Sequence, residues 1–334
     1  MIINCHCHIF DLECVPGDFR RRFMLDLKSH LQRFAYDQVS RMMPGDTRLK
    51  QWWQLADLSI EQIARRLLSE MDEAGVDTCV PLMMDMAYCE GYGGTIKDYE
   101  DQIAETASAV KKINAESNSP RMLPFIAVDP RRPNAIDLAC EGLEKGPFRG
   151  VKIYPVMGFT PDEKRLRPLW SYCEENQTPI TTHCQNGGVP GLQGYYELAH
   201  PKYWRPVLED FPDLVLNLAH NDRLGSPWQS VIKEIMQTYP RVYIDVSYNL
   251  EMWYMPGRYF QYIKRLLNTP AFQNRLLYGT DWYMGRCFWT EETYLKWFRE
   301  YASEIPWCSV TFTESEWRLL TETNPRRFLN FGLH

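Results

Sequence analysis

Two histidines stand two residues apart at the end of the apolar run Ile2-Ile3-Asn4-Cys5-His6-Cys7-His8. Side chains alternate faces along a strand, so His6 and His8 point one way and Cys7 the other. Two imidazoles on one face of a strand end make half a metal site. The chain has seven histidines. Two others, His183 and His220, close later apolar runs, and so does Asp281. His6, His8, His183 and Asp281 together offer three nitrogens and one oxygen. That donor set suits one zinc ion and also accepts manganese, iron, cobalt or nickel. A water in the remaining position would be acidified toward neutrality and become a hydroxide nucleophile. Asp281 can accept a proton while it holds the metal. His220 is placed to act as general base or acid, or to polarise a carbonyl. His30, His200 and His334 lack such a context and read as surface residues.

Further polar residues fall near the same strand ends. Lys152 could present a cation to a substrate carboxylate, bridge a second metal after carbamylation, or form an ion pair with Asp245 or Asp281. Asp245 shares a face with Tyr243 and Ser247 and could orient a ligand histidine, or be a buried structural carboxylate. Arg223 and Arg286 follow the sixth and eighth strands, where each could clamp a substrate carboxylate or lie solvated in a loop. Tyr154 and Trp282, with Trp52, Trp53, Trp253 and Tyr283, are candidate pocket walls, although ordinary packing explains any one of them. Cys7 and Cys184 neighbour ligands but face the helix layer by alternation, which makes them core residues.

These positions need a scaffold that brings distant strand ends together. Short apolar strands alternate with helices along the whole chain. The strands are expected near residues 2–9, 78–84, 122–128, 150–154, 179–183, 214–220, 242–246 and 275–281. Ser59 with Gln62 reads as a capping box, Ile60, Ile63, Leu67 and Met71 as an apolar helix face, and Gly75 as the stop. Eight strand–helix units predict an α/β fold, a single (β/α)8 barrel spanning 1–334, with both sheet faces covered and the active site at the C-terminal strand ends. An open doubly wound sheet is disfavoured because no Gly-x-Gly-x-x-Gly follows the first strand. The stretch 11–58 is too long for an ordinary connection and reads as an insertion after strand one, a lid.

Composition limits the partners. The 334 residues are 45% hydrophobic and 24% charged, with a net charge of −6 and no basic block longer than Arg20-Arg21-Arg22. Nucleic acid and anionic membrane surfaces are therefore not expected, and a small-molecule substrate is. No apolar run reaches the ~20 residues of a spanning helix. The first strand starts at Ile2, leaving no room for a leader, and ten scattered cysteines without a C-x-x-C pair suit a reducing compartment; the expectation is cytoplasmic. Aromatic residues in the insertion are compatible with a homodimer.

The order of motifs resembles the amidohydrolase superfamily of metal-dependent barrels. Within it, the chain is most similar to the amidohydrolase-2 group, which includes aminocarboxymuconate semialdehyde decarboxylase and the resorcylate decarboxylases. The resemblance rests on His6-Cys7-His8, Gly150-Val151-Lys152, His183-Cys184-Gln185-Asn186-Gly187, His220, Gly279-Thr280-Asp281 and Asn324-Pro325-Arg326-Arg327-Phe328. It spans nearly the whole chain. It implies one metal, with a second on carbamylated Lys152 belonging to other branches. The chain departs from the group at His220-Asn221-Asp222-Arg223, where His-x-Gly-Gly is common, and at Tyr283, where proline is common. Both departures lie in loops expected to face substrate.

Three functions are weighed. The preferred one is a metal-dependent hydrolase acting on an amide, lactone or ester of a carboxylate-bearing substrate. The runner-up is a non-oxidative, metal-dependent decarboxylase of an aromatic or dienoic acid. The third is a ligand-binding barrel without chemistry, which gives no reason to keep four costly polar groups at one mouth.

Overall fold

The computed structural model describes residues 1–18, 55, 58–188, 192–249, 251–287, 289–306 and 309–331. Most of the expected lid at 11–58, with His30, Trp52 and Trp53, lies outside the described residues, as does His334.

Among the described residues there are eight parallel strands: β1 (Ile3–Cys7), β2 (Thr78–Pro81), β3 (Phe125–Val128), β4 (Gly150–Ile153), β5 (Ile180–His183), β6 (Leu216–Ala219), β7 (Val242–Asp245) and β8 (Leu276–Leu277). The strands β3 to β8 pair in chain order, and β1 pairs with β2. Backbone contacts span both remaining gaps. Cys79 bridges to Met122 and Leu82 to Phe125, while Cys5 N–H donates to Tyr278 O at 2.8 Å and Asp281 N–H to His6 O at 2.8 Å. The ring of strands is thereby closed as a (β/α)8 barrel.

Helices alternate with the strands because their sequences carry the right ends and faces. Helix α1 (Ile60–Ala74) starts on the Ser59–Gln62 capping box and stops at Gly75, whose φ of 71° is left-handed. Its buried residues Ile60, Ile63, Leu67 and Met71 share one face. There follow α2 (Tyr99–Ala115), α3 (Ala135–Lys145), α4 (Arg167–Glu175), α5 (Arg205–Asp210), α6 (Pro227–Thr238), α7 (Pro256–Leu267) and α8 (Glu291–Lys296). The outward residues of the strands, such as Ile126, Val151, Ile153, Leu216, Leu218 and Ile244, pack against these helices in the main core.

A smaller apolar cluster fills the interior: Ile3, Cys5, Val80, Leu82, Leu123, Phe125, Val215, Tyr243, Leu277 and Phe328. Phe328 comes from α9 (Asn324–Phe328), whose Asn324 Nδ2 donates to Gln273 O and Leu276 O. Its ring stands 5.3 Å from that of Tyr243 and 6.1 Å from that of Phe125.

Two strand ends differ from simple alternation. The β1–β2 register shifts between Asn4 and Cys7. Ile3 and Cys5 therefore join the interior cluster while Cys7 joins the outer core, and His6 still faces the barrel axis. The expected eighth strand shortens to two residues. Thr280 and Asp281 both send their N–H groups to His6 O, and Asp281 takes a left-handed φ of 54°, so the chain leaves β7 early. This local turn aims Asp281 at the two histidines.

Replacing Phe328 with alanine should open a cavity in the interior cluster and cost about 3–5 kcal/mol of unfolding free energy. Denaturant titration measures this, and a loss below about 1 kcal/mol would show that the ring is not structural.

Candidate metal centre

The strand ends of β1, β5, β6, β7 and β8 converge on a buried polar pocket. His6, His8, His183, His220, Lys152, Asp245 and Asp281 are all no more than 6% exposed. Ligand atoms of His6, His220 and Asp281 lie within 4.8 Å of one another. His8 Nε2 approaches Asp281 Oδ1 to 3.0 Å, and His6 Nε2 approaches the same oxygen to 3.6 Å. The ring of His183 stands 4.8 Å from that of His220.

Asp245 organises this pocket. Its Oδ2 accepts from His6 Nδ1 at 3.0 Å and Asn217 Nδ2 at 2.8 Å. Its Oδ1 accepts from His220 N–H at 2.9 Å, Ser247 N–H at 3.1 Å and Ser247 Oγ at 2.5 Å. Ser247 Oγ in turn lies 3.0 Å from both His6 Nδ1 and His220 Nδ1. Gly279 makes room for this arrangement, since a Cβ there would sit 2.8 Å from the His6 Cβ. His8 Nδ1 is held by the Leu82 carbonyl at 2.7 Å. In His6, His8 and His220, Nδ1 is thus engaged with β2 or β7 and the loops that follow them, which leaves Nε2 for the pocket.

Behind Asp281 a second buried network fixes β1 to β8. Asn4 Nδ2 donates to Thr280 Oγ1 at 2.8 Å and Glu291 Oε1 at 2.7 Å, and Asn4 Oδ1 accepts from His6 N–H at 3.0 Å. Burial, with the nearby Glu70 charge, pushes the Glu291 carboxyl up to about 8.

The protonation states suit a cation site. Burial, aided by the Lys152 charge, lowers His6 to about 3 despite the pull of Asp245 and Asp281. Burial also lowers His183, with His220 and Lys152 adding to it, and lowers His220 against the attraction of Asp281 and Asp245. Burial would raise the carboxyl of Asp245, but attraction to His6 and hydrogen bonds from His6 and Ser247 hold it well below its usual range. Asp281 is likewise held low against burial by His8 and His6. Neutral imidazoles beside an ionised carboxylate are the states that ligate a metal. Asp281 Oδ1 is buried and accepts no aligned hydrogen bond, despite the close approach of His8. A buried carboxylate oxygen left in this state is costly unless a cation completes it. The residues present therefore fit a divalent ion.

The residues read from sequence divide as follows. His6, His8 and Asp281 meet, and His220 joins the tight group. The Nε2 of His183 bonds the Gly187 carbonyl at 2.9 Å, which sets it apart from that group. Lys152 forms no ion pair with Asp245 or Asp281; its Nζ lies 5.8 Å from the Tyr154 ring centre. The Tyr154 ring lies 4.8 Å from that of His183, tilted by 60°. Arg223 is exposed and donates to Asn186 O at 3.1 Å, linking the loops after β5 and β6.

Arg286 and Trp282, both expected at the substrate, share the Glu70 carboxylate. Arg286 Nε donates to Glu70 at 2.8 Å and Trp282 Nε1 to the same carboxylate at 3.0 Å. Glu70 belongs to α1, so both side chains turn outward to the helix layer and tie the β8 loop to it. Sequence reading missed Ser247 as a bridge between two histidines, and Asn217; inward parity with Asp245 was the available signal for the first. The Leu82 carbonyl carries no side-chain signal at all.

A family model described as amidohydrolase matches residues 3–331. The chain belongs to the amidohydrolase family, whose members are metal-dependent barrel enzymes that include hydrolases, hydratases and decarboxylases. Solved structures share the fold at low identity. An uncharacterised TIM-barrel protein from Bordetella bronchiseptica is 18% identical with a TM-score of 0.62, covering 99% of this chain and 98% of that one. A 4-oxalomesaconate hydratase from Rhodopseudomonas palustris is 16% identical with a TM-score of 0.58, over 99% and 96%. An amidohydrolase 2 from Bifidobacterium longum subsp. infantis is 15% identical with a TM-score of 0.53, over 99% and 98%. No curated protein matches the chain.

The lowered His6 has a consequence for stability. The folded state holds this imidazole neutral, whereas the unfolded chain protonates it below about 6.5. Its contribution is present above pH 6.5 and is lost as pH falls toward about 3. Chelator-treated protein should show a falling denaturant midpoint across that window, and His6→Gln should flatten the slope. An unchanged slope in the variant would contradict the assignment.

Proposed function

We propose that this protein is a metal-dependent hydrolase acting on an amide, lactone or ester of a small carboxylate-bearing substrate. The observation that carries the reading is the buried group of His6, His8, His220 and Asp281, with an Asp281 oxygen left without an aligned hydrogen bond. The fold alone would not carry it, since one barrel hosts many chemistries. His6, His8 and Asp281, with His183 released from the Gly187 carbonyl, would hold one divalent ion, zinc by the chemistry of three nitrogens and one oxygen. Bound there, the ion supplies Lewis acidity that activates water and polarises a carbonyl.

The chain's own residues supply the rest. Asp281, ionised and buried, can accept a proton at its free oxygen. His220, fixed at Nδ1 by Ser247, can carry that proton at Nε2 to a leaving group. Lys152, which burial lowers to about 8 against the attraction of Asp281 and Asp245, remains a cation at neutral pH. Among the described residues it has no carboxylate partner, and it is the natural anchor for a substrate carboxylate, with Tyr154 beside it. Exclusion of water by the buried walls strengthens each of these interactions.

The same anchor supports a second reading, decarboxylation of an aromatic or dienoic acid. Lys152 and the ion would then hold the acid while Asp281 or His220 delivers a proton to carbon. The small-molecule substrate, a homodimer and a cytoplasmic location complete the proposal.

A panel of lactones, amides and hydroxybenzoic acids, assayed for acid release against carbon dioxide release, separates the two reactions. Hydrolysis is expected. Carbon dioxide release alone would replace it by the second reading. In the same assays His220→Ala should keep the metal and lose about 100- to 10,000-fold in kcat. His183→Ala should lose the metal. The reverse outcome, metal lost with His220 and kept without His183, would move the ligand role to His220.

A further inference from the structure

A second cavity lies outside the barrel mouth, between α6 and α7. It is a half-open cleft of about 440 Å³ lined by Leu224, Gly225, Gln229, Lys233, Arg258, Gln261, Tyr262 and Arg265. That volume suits a small metabolite. Three of its walls are cationic, although the chain as a whole carries a net charge of −6. Among the described residues, Lys233, Arg258 and Arg265 form no ion pair, whereas basic residues nearby do: Arg205 reaches Glu234 and Lys264 reaches Glu316. Glu251, a carboxylate whose field reaches Arg258, is turned onto the Leu224 N–H at 3.0 and 2.8 Å. Lys233 is held with its ammonium 5.2 Å from the Tyr262 ring centre. Three like charges around one cleft repel one another and gain from a shared counter-charge.

We infer that this cleft is a binding site for a small multivalent anion, carrying phosphate or several carboxylates, distinct from the catalytic pocket. Two guanidinium forks and one ammonium match several anionic oxygens at once. The site also touches the turn that presents His220. Asn221 Nδ2 donates to Tyr262 Oη at 3.1 Å, and Gln229 Nε2 donates to Asn221 O at 3.2 Å. His220, Asn221 and Asp222 all hold left-handed φ values, of 68°, 53° and 46°. Two lining residues thus brace a turn in a sparsely populated conformation. An anion seated against Tyr262 and Gln229 would add to this brace.

The test uses the full chain, freed of metal and then dialysed free of chelator, and two probes, inorganic pyrophosphate and propane-1,2,3-tricarboxylate, titrated calorimetrically. Saturable binding at about 1 mM or tighter is expected for at least one probe. It should persist within about threefold in Lys152→Met, which disables the catalytic anchor, and weaken at least about tenfold when Lys233, Arg258 and Arg265 are all replaced by glutamine. The single change Arg265→Gln, at an exposed position, should weaken it several-fold and guards against misfolding of the triple variant. The probe that binds decides between phosphate and carboxylate chemistry. No saturable binding, binding unchanged in both cleft variants, or binding lost only with Lys152 would each overturn the assignment.

Discussion

The buried Asp245 carboxylate is the interaction on which the rest of the pocket depends. It is fully buried and accepts five hydrogen bonds, from His6, Asn217, the His220 backbone, and the Ser247 backbone and hydroxyl. Those donors come from three different parts of the sheet: β1, β6 with its following turn, and the end of β7. An ionised carboxylate is expensive to bury unless nearly every lone pair is met, so this group strongly penalises any misplacement of its partners. In meeting that demand the fold sets the ring orientation of His6 and the backbone of His220. It also fixes which nitrogen of His6 is left for the pocket.

Charge balance then follows from burial. Asp245 and Asp281 are negative, Lys152 is positive, and the lowered His6, His183 and His220 are neutral near pH 7. The pocket alone is therefore one charge short of neutrality on the negative side. A divalent ion would make it net positive. The same burial that suppresses imidazole protonation prepares the nitrogens as ligands. The barrel thus does two jobs with one constraint: it removes water from the strand ends, and it leaves polar groups suited to a cation.

Much of this was legible in the sequence because the barrel repeats one simple unit. Strand periodicity with helix caps such as Ser59 and Gly75 placed all eight strands, and the C-terminal strand ends then selected His6, His8, His183, His220 and Asp281. Less legible was anything set by local deviation from regular geometry. The register shift in β1 and the left-handed turns at His220 and Asp281 leave no periodic signal, yet they decide which ligand atoms meet. The Glu70 contacts of Arg286 and Trp282 are illegible for a related reason. Position after a strand does not say which way a side chain turns, and Glu70, far away in sequence, draws both outward. Ser247 was on the correct face, but its bridging of two rings depends on a third dimension that alternation does not encode.

If the pocket ordered by Asp245 is a metal centre, elemental analysis of the full chain after metal-supplemented growth will find the ion. Near one equivalent of divalent metal per chain is predicted for the wild type. Asp245→Asn, which weakens the hold on the His6 Nδ1 proton, should bind metal about 10- to 100-fold more weakly. Less than about half an equivalent in the wild type, or equal affinity in the variant, would contradict the account.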